Sequence, residues 1–169
     1  MKYIFILTFM IVYTLYGKEL GYTTSSGFHT HLSYMFQHSG IIHLILNSIA
    51  FFSLFHILQH RINKYLLAIC IMGISCAVSF ISEHDIPTIG ASGMVYAMIG
   101  IYIHAYKITA SRKYLKFITV VTVGLAVSLL NENSNFLLHV YSMLCGYLVI
   151  RIIGARFGLF GNQHRRAYF

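Results

Sequence analysis

Six apolar runs follow one another along this chain, each close to the length that crosses a hydrocarbon layer. They cover roughly residues 3–16, 40–58, 65–82, 90–106, 114–130 and 136–153, with short polar joints between them. A span of about 30 Å takes about 20 apolar residues, and shorter runs need local thinning or a helix end that dips into the bilayer. In lipid every backbone N–H and C=O must be paired within the segment, so such runs fold as helices. Composition agrees: 57% of the 169 residues are hydrophobic and only 9% are charged. With no Pro- or Gly-rich linker and no internal repeat, the expectation is one all-α membrane domain over residues 1–169. Cys70, Cys76 and Cys145 all fall inside apolar runs. An odd count in such places reads as small packing residues, not as a disulfide framework.

The charges give the runs a direction. Lys2, Arg61, Lys64, Lys107, Arg112, Lys113, Lys116, Arg151, Arg156, Arg165 and Arg166 account for 11 of the 12 basic residues, all in alternate joints or near the termini. All four acids, Glu19, Glu83, Asp85 and Glu132, occupy the other joints, with Lys18 beside them. Basic joints stay on the cytoplasmic side, so the pattern predicts a bundle of six transmembrane helices with both termini cytoplasmic. The net charge of +8 is then an orientation signal and a contact with anionic lipid, and no nucleic acid is expected as a partner. The first run ends Thr14-Leu15-Tyr16-Gly17 without a small-x-small cleavage site, so it is expected to stay as a span. The longest joint, residues 20–37, is polar but uncharged apart from histidine and carries Phe28, Tyr34 and Phe36. It suits the outer interface.

Within this frame the polar residues inside the runs stand out, because ionisable groups at membrane depth are costly and functional by default. Ser92 sits in Ile89-Gly90-Ala91-Ser92-Gly93-Met94, at the start of the fourth run. A helix N-terminus presents unpaired N–H groups that favour negative charge, which a serine attacking a carbonyl creates. Taken alone, Gly-x-Ser-Gly is also ordinary small-residue packing. The expected topology, however, puts three more polar residues at the same outer depth: His139 in the sixth run, and His43 and Asn47 in the second. His43 and Asn47 are four apart and share a helix face, and His38 lies just before them. Gly93, Ala97 and Gly100 form a small-residue stripe, as do Ser142 and Gly146 on the face of His139. Such stripes let helices approach closely. No acid lies within a run, so a Ser92–His139 dyad is expected in place of a triad, with His43, Asn47 and the Ser92 N–H as oxyanion donors. His56 and His104 lie toward the cytoplasmic helix ends and are expected to snorkel or cap.

On these residues the chain resembles the rhomboid intramembrane serine proteases. The His-x4-His-x3-Asn pattern is His38, His43 and Asn47, and Gly-x-Ser-Gly with an aromatic behind it is Gly90, Ser92, Gly93 and Tyr96. The histidine with small residues three and seven positions on is His139, Ser142 and Gly146. The resemblance implies Ser92 as nucleophile, His139 as general base and acid, and Tyr96 stacked beside His139. It implies single-pass transmembrane proteins as substrates, cut near the outer end of the span, with no metal and no cofactor. It places the protein in the plasma (inner) membrane with a site opening to the extracytoplasmic side. The family usually has Gly where Ser142 stands, and the chain has no Trp for the family's first-loop Trp-Arg pair. Other classes explain less. A haem or metal protein using His43 and His139 gives no reason for Gly-Ala-Ser-Gly, and a channel would spread its polar residues across the bilayer. A non-catalytic rhomboid-like chaperone for client helices would leave Ser92 dispensable.

Overall fold

A computed structural model of the chain describes residues 1–16, 19–82, 85–106, 112–131 and 134–157. Lys18, Glu83, Lys107, Glu132, Arg165 and Arg166 of the charge pattern lie outside them. The regular elements among the described residues are helices, with no strand among them: α1 Lys2–Leu15, α2 Thr30–Ser33 running into a 3-10 turn at Tyr34–Phe36, α3 Ile41–Leu58, α4 Lys64–Ser79, α5 Ser92–Ala105, α6 Arg112–Leu130 and α7 Phe136–Phe157. Among them Ile41–Leu58 and Phe136–Gly154 are long and apolar enough to cross a membrane by themselves. Lys2–Leu15, Lys64–Ser79, Ser92–Ala105 and Lys116–Leu130 are shorter apolar helices. The fourth run loses its first two residues to a turn, because Gly90 has φ +124°, a conformation that ends helical geometry and that glycine alone adopts without strain.

Local chemistry sets the helix ends. Asn63 caps α4, its side-chain oxygen accepting the N–H groups of Tyr65 at 2.9 Å and Leu66 at 3.4 Å. At the far end of α5 the Arg61 guanidinium donates to the Ala105 carbonyl and lies 4.2 Å over the Tyr106 ring, a cation where the helix dipole favours one. Asn135 caps α7 by accepting the Leu138 N–H at 3.0 Å.

The exterior is unlike that of a water-soluble fold, while the core is apolar with polar groups set into it. Outward faces are apolar: Ile4 and Leu7 on α1, Ile42 and Ile49 on α3, Ile69 on α4, Val120 and Leu130 on α6, and Leu144 and Ile152 on α7 are all exposed. The interior holds Ser75, Ser79, Ser128, Asn135, His139 and Ser142, all buried. An apolar surface this extensive marks a lipid-facing protein. α5 is apolar on every side and has no exposed residue, which places it at the centre. Its most extensive partner is α7, with α3 and α4 on its other sides. α1 joins through an aromatic cluster in which Phe5 and Phe9 pack on Phe36, Phe51 and Phe55. α6 is the most loosely held long helix, and its main neighbour is α7.

Glycine makes the central pair possible. A Cβ on Gly100 would collide with the Met143 carbonyl oxygen, and one on Gly146 with the Ala97 carbonyl oxygen. The two backbones therefore meet directly at two successive levels. Gly93 faces elsewhere than its stripe suggested: its close neighbours are Ser75 Oγ and the Tyr34 hydroxyl, on α4 and the turn after α2.

Candidate active site

The starts of α3, α5 and α7 converge at one end of the bundle. There Ser92, the first residue of α5, has its Oγ 2.9 Å from Nε2 of His139, in the first turn of α7. The Tyr96 ring stacks on His139 with centroids 4.4 Å apart and planes 20° apart, fixing the imidazole plane. On the other side His43 closes over Gly90. A Cβ there would lie 2.8 Å from both Cε1 and Nε2 of the His43 ring, so glycine is required for space as well as for its backbone angle. Asn47, one turn further along α3, donates through Nδ2 to the His43 carbonyl at 3.1 Å and lines the same cavity as Ser92 and His139. The structure thus brings together Ser92, His139, His43, Asn47, Tyr96 and Gly90. Gly93, Ser142 and Gly146 act at helix contacts beyond this cluster. Ser142 is fully buried and its hydroxyl has no hydrogen-bond partner.

The tautomers follow from the partners. Nδ1 of His43 accepts the backbone N–H of Ser39 at 3.4 Å and pairs with Ser39 Oγ at 2.9 Å. A backbone N–H can only donate, so the neutral ring carries its proton on Nε2, the nitrogen that faces Gly90. On His139, Nδ1 lies 2.8 Å from Ser128 Oγ on α6, and Ser128 Oγ lies 2.7 Å from Ser134 Oγ in the α6–α7 joint. When Nε2 accepts from Ser92, Nδ1 carries the proton and donates to Ser128.

The loop that delivers Ser92 is tied on both sides. Tyr22 and Thr88 form an antiparallel bridge with N–H to O distances of 3.2 and 2.9 Å, and the Gly90 N–H donates to the Tyr34 carbonyl at 2.9 Å. Tyr34 is held through its hydroxyl by Ser75, at 3.0 Å to the carbonyl and 2.7 Å to Oγ. Asn135 Nδ2 lies within 3.1 Å of the Tyr22 hydroxyl, the Ser82 carbonyl and Thr88 Oγ1. One side chain therefore joins the start of α7 to the approach to α5. Sequence reasoning missed Ser39, Ser128, Ser134 and Asn135. Asn135 had a signal, an Asn directly before an apolar run.

His38 stands behind this cluster, ahead of α3. It is buried, edge-on to Phe9 at 5.3 Å and to His43 at 5.2 Å. Burial, with His43 beside it, pushes its pKa down from 6.5 to about 3, so the folded protein holds it neutral. Below pH 6.5 the unfolded chain takes up a proton that the fold refuses until near pH 3. Stability is therefore expected to fall across that window, by up to about 1.4 kcal/mol per pH unit from this residue. Unfolding midpoints of the detergent-solubilised protein between pH 7 and 4 should decline more steeply than those of His38→Phe. Equal slopes would remove His38 as the cause.

Two openings reach the serine. One cavity of about 640 Å³ opens at the converging helix starts between His43, Ser92, Asn131 and His139. The other, of about 700 Å³, is an apolar cleft between α3 and α6 lined by Leu46, Leu54, Ile99, Val120 and Val127, and it ends at the same residues.

An all-helical bundle with an apolar exterior, closed around a serine–histidine pair, is the class of protein defined here. The Rhomboid domain model matches residues 25–156, and the chain belongs to the rhomboid family. It is 25% identical over 120 residues to the protein named "Putative rhomboid protease YdcA" of Bacillus subtilis (strain 168), a match that covers 66% of this chain and 60% of that relative. The chain thus aligns with less than two thirds of the relative's length.

Proposed function

We propose that the chain is an intramembrane serine endopeptidase that cuts single-pass transmembrane proteins. In this reading residues 1–169 form one domain, with α1, α3, α4, α5, α6 and α7 crossing the plasma (inner) membrane and both termini cytoplasmic. The separation of basic from acidic joints supports that orientation, with the site opening to the extracytoplasmic side. The observation that carries the reading is the 2.9 Å contact of Ser92 Oγ with His139 Nε2 where a polar mouth meets an apolar lateral cleft. A substrate helix rests its apolar side in the cleft, and its outer end unwinds toward Ser92.

The chemistry runs through the chain's own residues. Ser92 Oγ attacks the scissile carbonyl carbon while its proton passes to His139 Nε2. The resulting oxyanion receives the His43 Nε2–H, the second Asn47 Nδ2–H and the Ser92 N–H, each such donor being worth about 3 kcal/mol of transition-state stabilisation. The tetrahedral adduct collapses, the C–N bond breaks, and the leaving amine takes the proton from Nε2. Water entering from the mouth gives a proton to His139 and attacks the acyl ester; the adduct collapses, the C–Oγ bond breaks, His139 returns the proton to Ser92 Oγ, and the carboxylic product leaves. Water has access because the mouth is open and carries Ser39, His43, Thr88, Asn131 and Asn135 among its lining residues.

The test uses membranes containing the full chain, a single-pass reporter and a fluorophosphonate probe. The expected result is cleavage by the wild type and covalent labelling at Ser92, both absent from Ser92→Ala. A protein that binds the reporter but neither cleaves it nor takes the probe would be a non-catalytic helix chaperone, and the protease reading would fail.

A further inference from the structure

The protease reading leaves unused a buried group that touches the dyad: Ser128, whose hydroxyl sits against the rear nitrogen of His139. Hydrolases that use a serine and a histidine commonly set a third group behind the histidine, and among the described residues no carboxylate is in that place. Ser128 is buried, 5% exposed, on the inward face of α6, in register with Phe117, Val121 and Gly124 at successive turns. Two of them lie against α5: Phe117 packs on Tyr102 at 4.8 Å, and a Cβ on Gly124 would lie 3.0 Å from the Tyr96 hydroxyl. Ser128 is therefore the polar end of a packed apolar face, directed at His139.

We propose, resting on the protease reading, that Ser128 is a positioning residue for His139. Its oxygen accepts the Nδ1 proton and so holds the ring in the tautomer whose Nε2 is free to take the proton of Ser92. Ser134 gives the arrangement direction. With its lone pairs facing the imidazole, Ser128 has its own proton to donate to Ser134 Oγ, 2.7 Å away. When His139 becomes an imidazolium, the Nδ1 proton stays on the ring and Ser128 continues to accept it. No second proton moves along the hydroxyl pair. Without Ser128 the buried Nδ1–H loses its acceptor, the other tautomer becomes competitive, and the ring is kept in plane by Tyr96 alone.

The experiment measures initial rates on a single-pass reporter, with the full chain in proteoliposomes. The set is wild type, Ser128→Ala, Ser128→Thr, His139→Ala and the double variant His139→Ala/Ser128→Ala. Ser128→Ala is expected to lower kcat by about 10- to 100-fold with KM within about twofold, the size of effect seen when a supporting partner is removed. Ser128→Thr keeps the hydroxyl and is expected to recover most of the rate. The double variant should be no slower than His139→Ala, because Ser128 acts only through that ring. A wild-type kcat in Ser128→Ala, a defect confined to KM, or no recovery in Ser128→Thr would overturn the assignment and leave the protease reading standing. Absence of cleavage and of Ser92 labelling in the wild type would remove both.

Discussion

Replacing Ser92 by alanine is expected to lower kcat at least about 10,000-fold, and His139→Ala should fall to a similar floor. Both follow from one contact, Ser92 Oγ to His139 Nε2 at 2.9 Å. Without the oxygen there is no acyl-enzyme. Without the imidazole, a hydroxyl with an alcohol's ordinary acidity must attack unaided. Because the two act as a unit, the double variant should be hardly slower than either single one. The oxyanion donors of the proposed mechanism form a different class. His43→Ala and Asn47→Ala remove one donor each and are expected to cost about 100- to 1000-fold, with the nucleophile still taking up the probe, more slowly. Single-turnover kinetics on a reporter in proteoliposomes separates the two classes. A His139→Ala variant that kept a tenth of the wild-type rate would show that another base serves Ser92 and would dismantle the dyad.

The second large effect is structural. Gly100→Ala and Gly146→Ala each push a methyl group into a carbonyl of the opposite helix. Ordinary overpacking costs about 1–3 kcal/mol because side chains can shift, but here the obstacle is backbone and only separation of α5 from α7 relieves it. A loss of about 3 kcal/mol or more is expected, read as a lower unfolding midpoint and a smaller folded yield. The molecules that do fold should also cleave more slowly, since separating α5 from α7 draws Ser92 away from His139. Gly73→Ala is the control. It lies within α4 with nothing within 4 Å of a new Cβ, and is expected to be neutral or to stabilise by up to about 1 kcal/mol through helix propensity. Equal midpoints for all three variants would mean that the α5–α7 contact is not the tight joint it looks.

The sequence revealed what lipid makes conspicuous. Long apolar runs have few folds open to them, and the all-helical architecture follows. Ser92, His139, His43 and Asn47 were legible because polar side chains at depth are rare and need a reason. Ser128 and Ser39 were not, because serine in or beside an apolar helix is common as a small packing residue. Only the fold shows that one sits behind His139 and the other behind His43. The 4, 3, 4 spacing of Phe117, Val121, Gly124 and Ser128 marks an inward face once α6 is in place, but Val120 and Val123 on either side of Val121 in sequence blur that stripe. The facing of Gly93 toward Tyr34 and Ser75 was equally hidden, because it depends on how the first outer joint folds back. The Gly90 turn was foreshadowed by its glycine. Its second purpose, making room for the His43 ring, belongs to tertiary structure.

The enclosure of α5 has a bearing on how such a chain drifts over generations. Lipid is indifferent to which apolar side chain it meets, so the outward residues of α1, α3, α6 and α7 exchange freely among Ile, Leu, Val and Phe. α5 has no exposed residue, and of its residues only Ser92, Val95, Tyr96, Ile99 and Tyr102 line the lateral cleft. Its other sides are claimed by α7, α3 and α4, and at two levels by another backbone. Random substitution is therefore tolerated at the periphery and filtered at the axis. Two such proteins can diverge until most of their surface is unrecognisable while the strand of sequence from residue 90 to residue 100, and the turns of α7 that face it, still read almost alike.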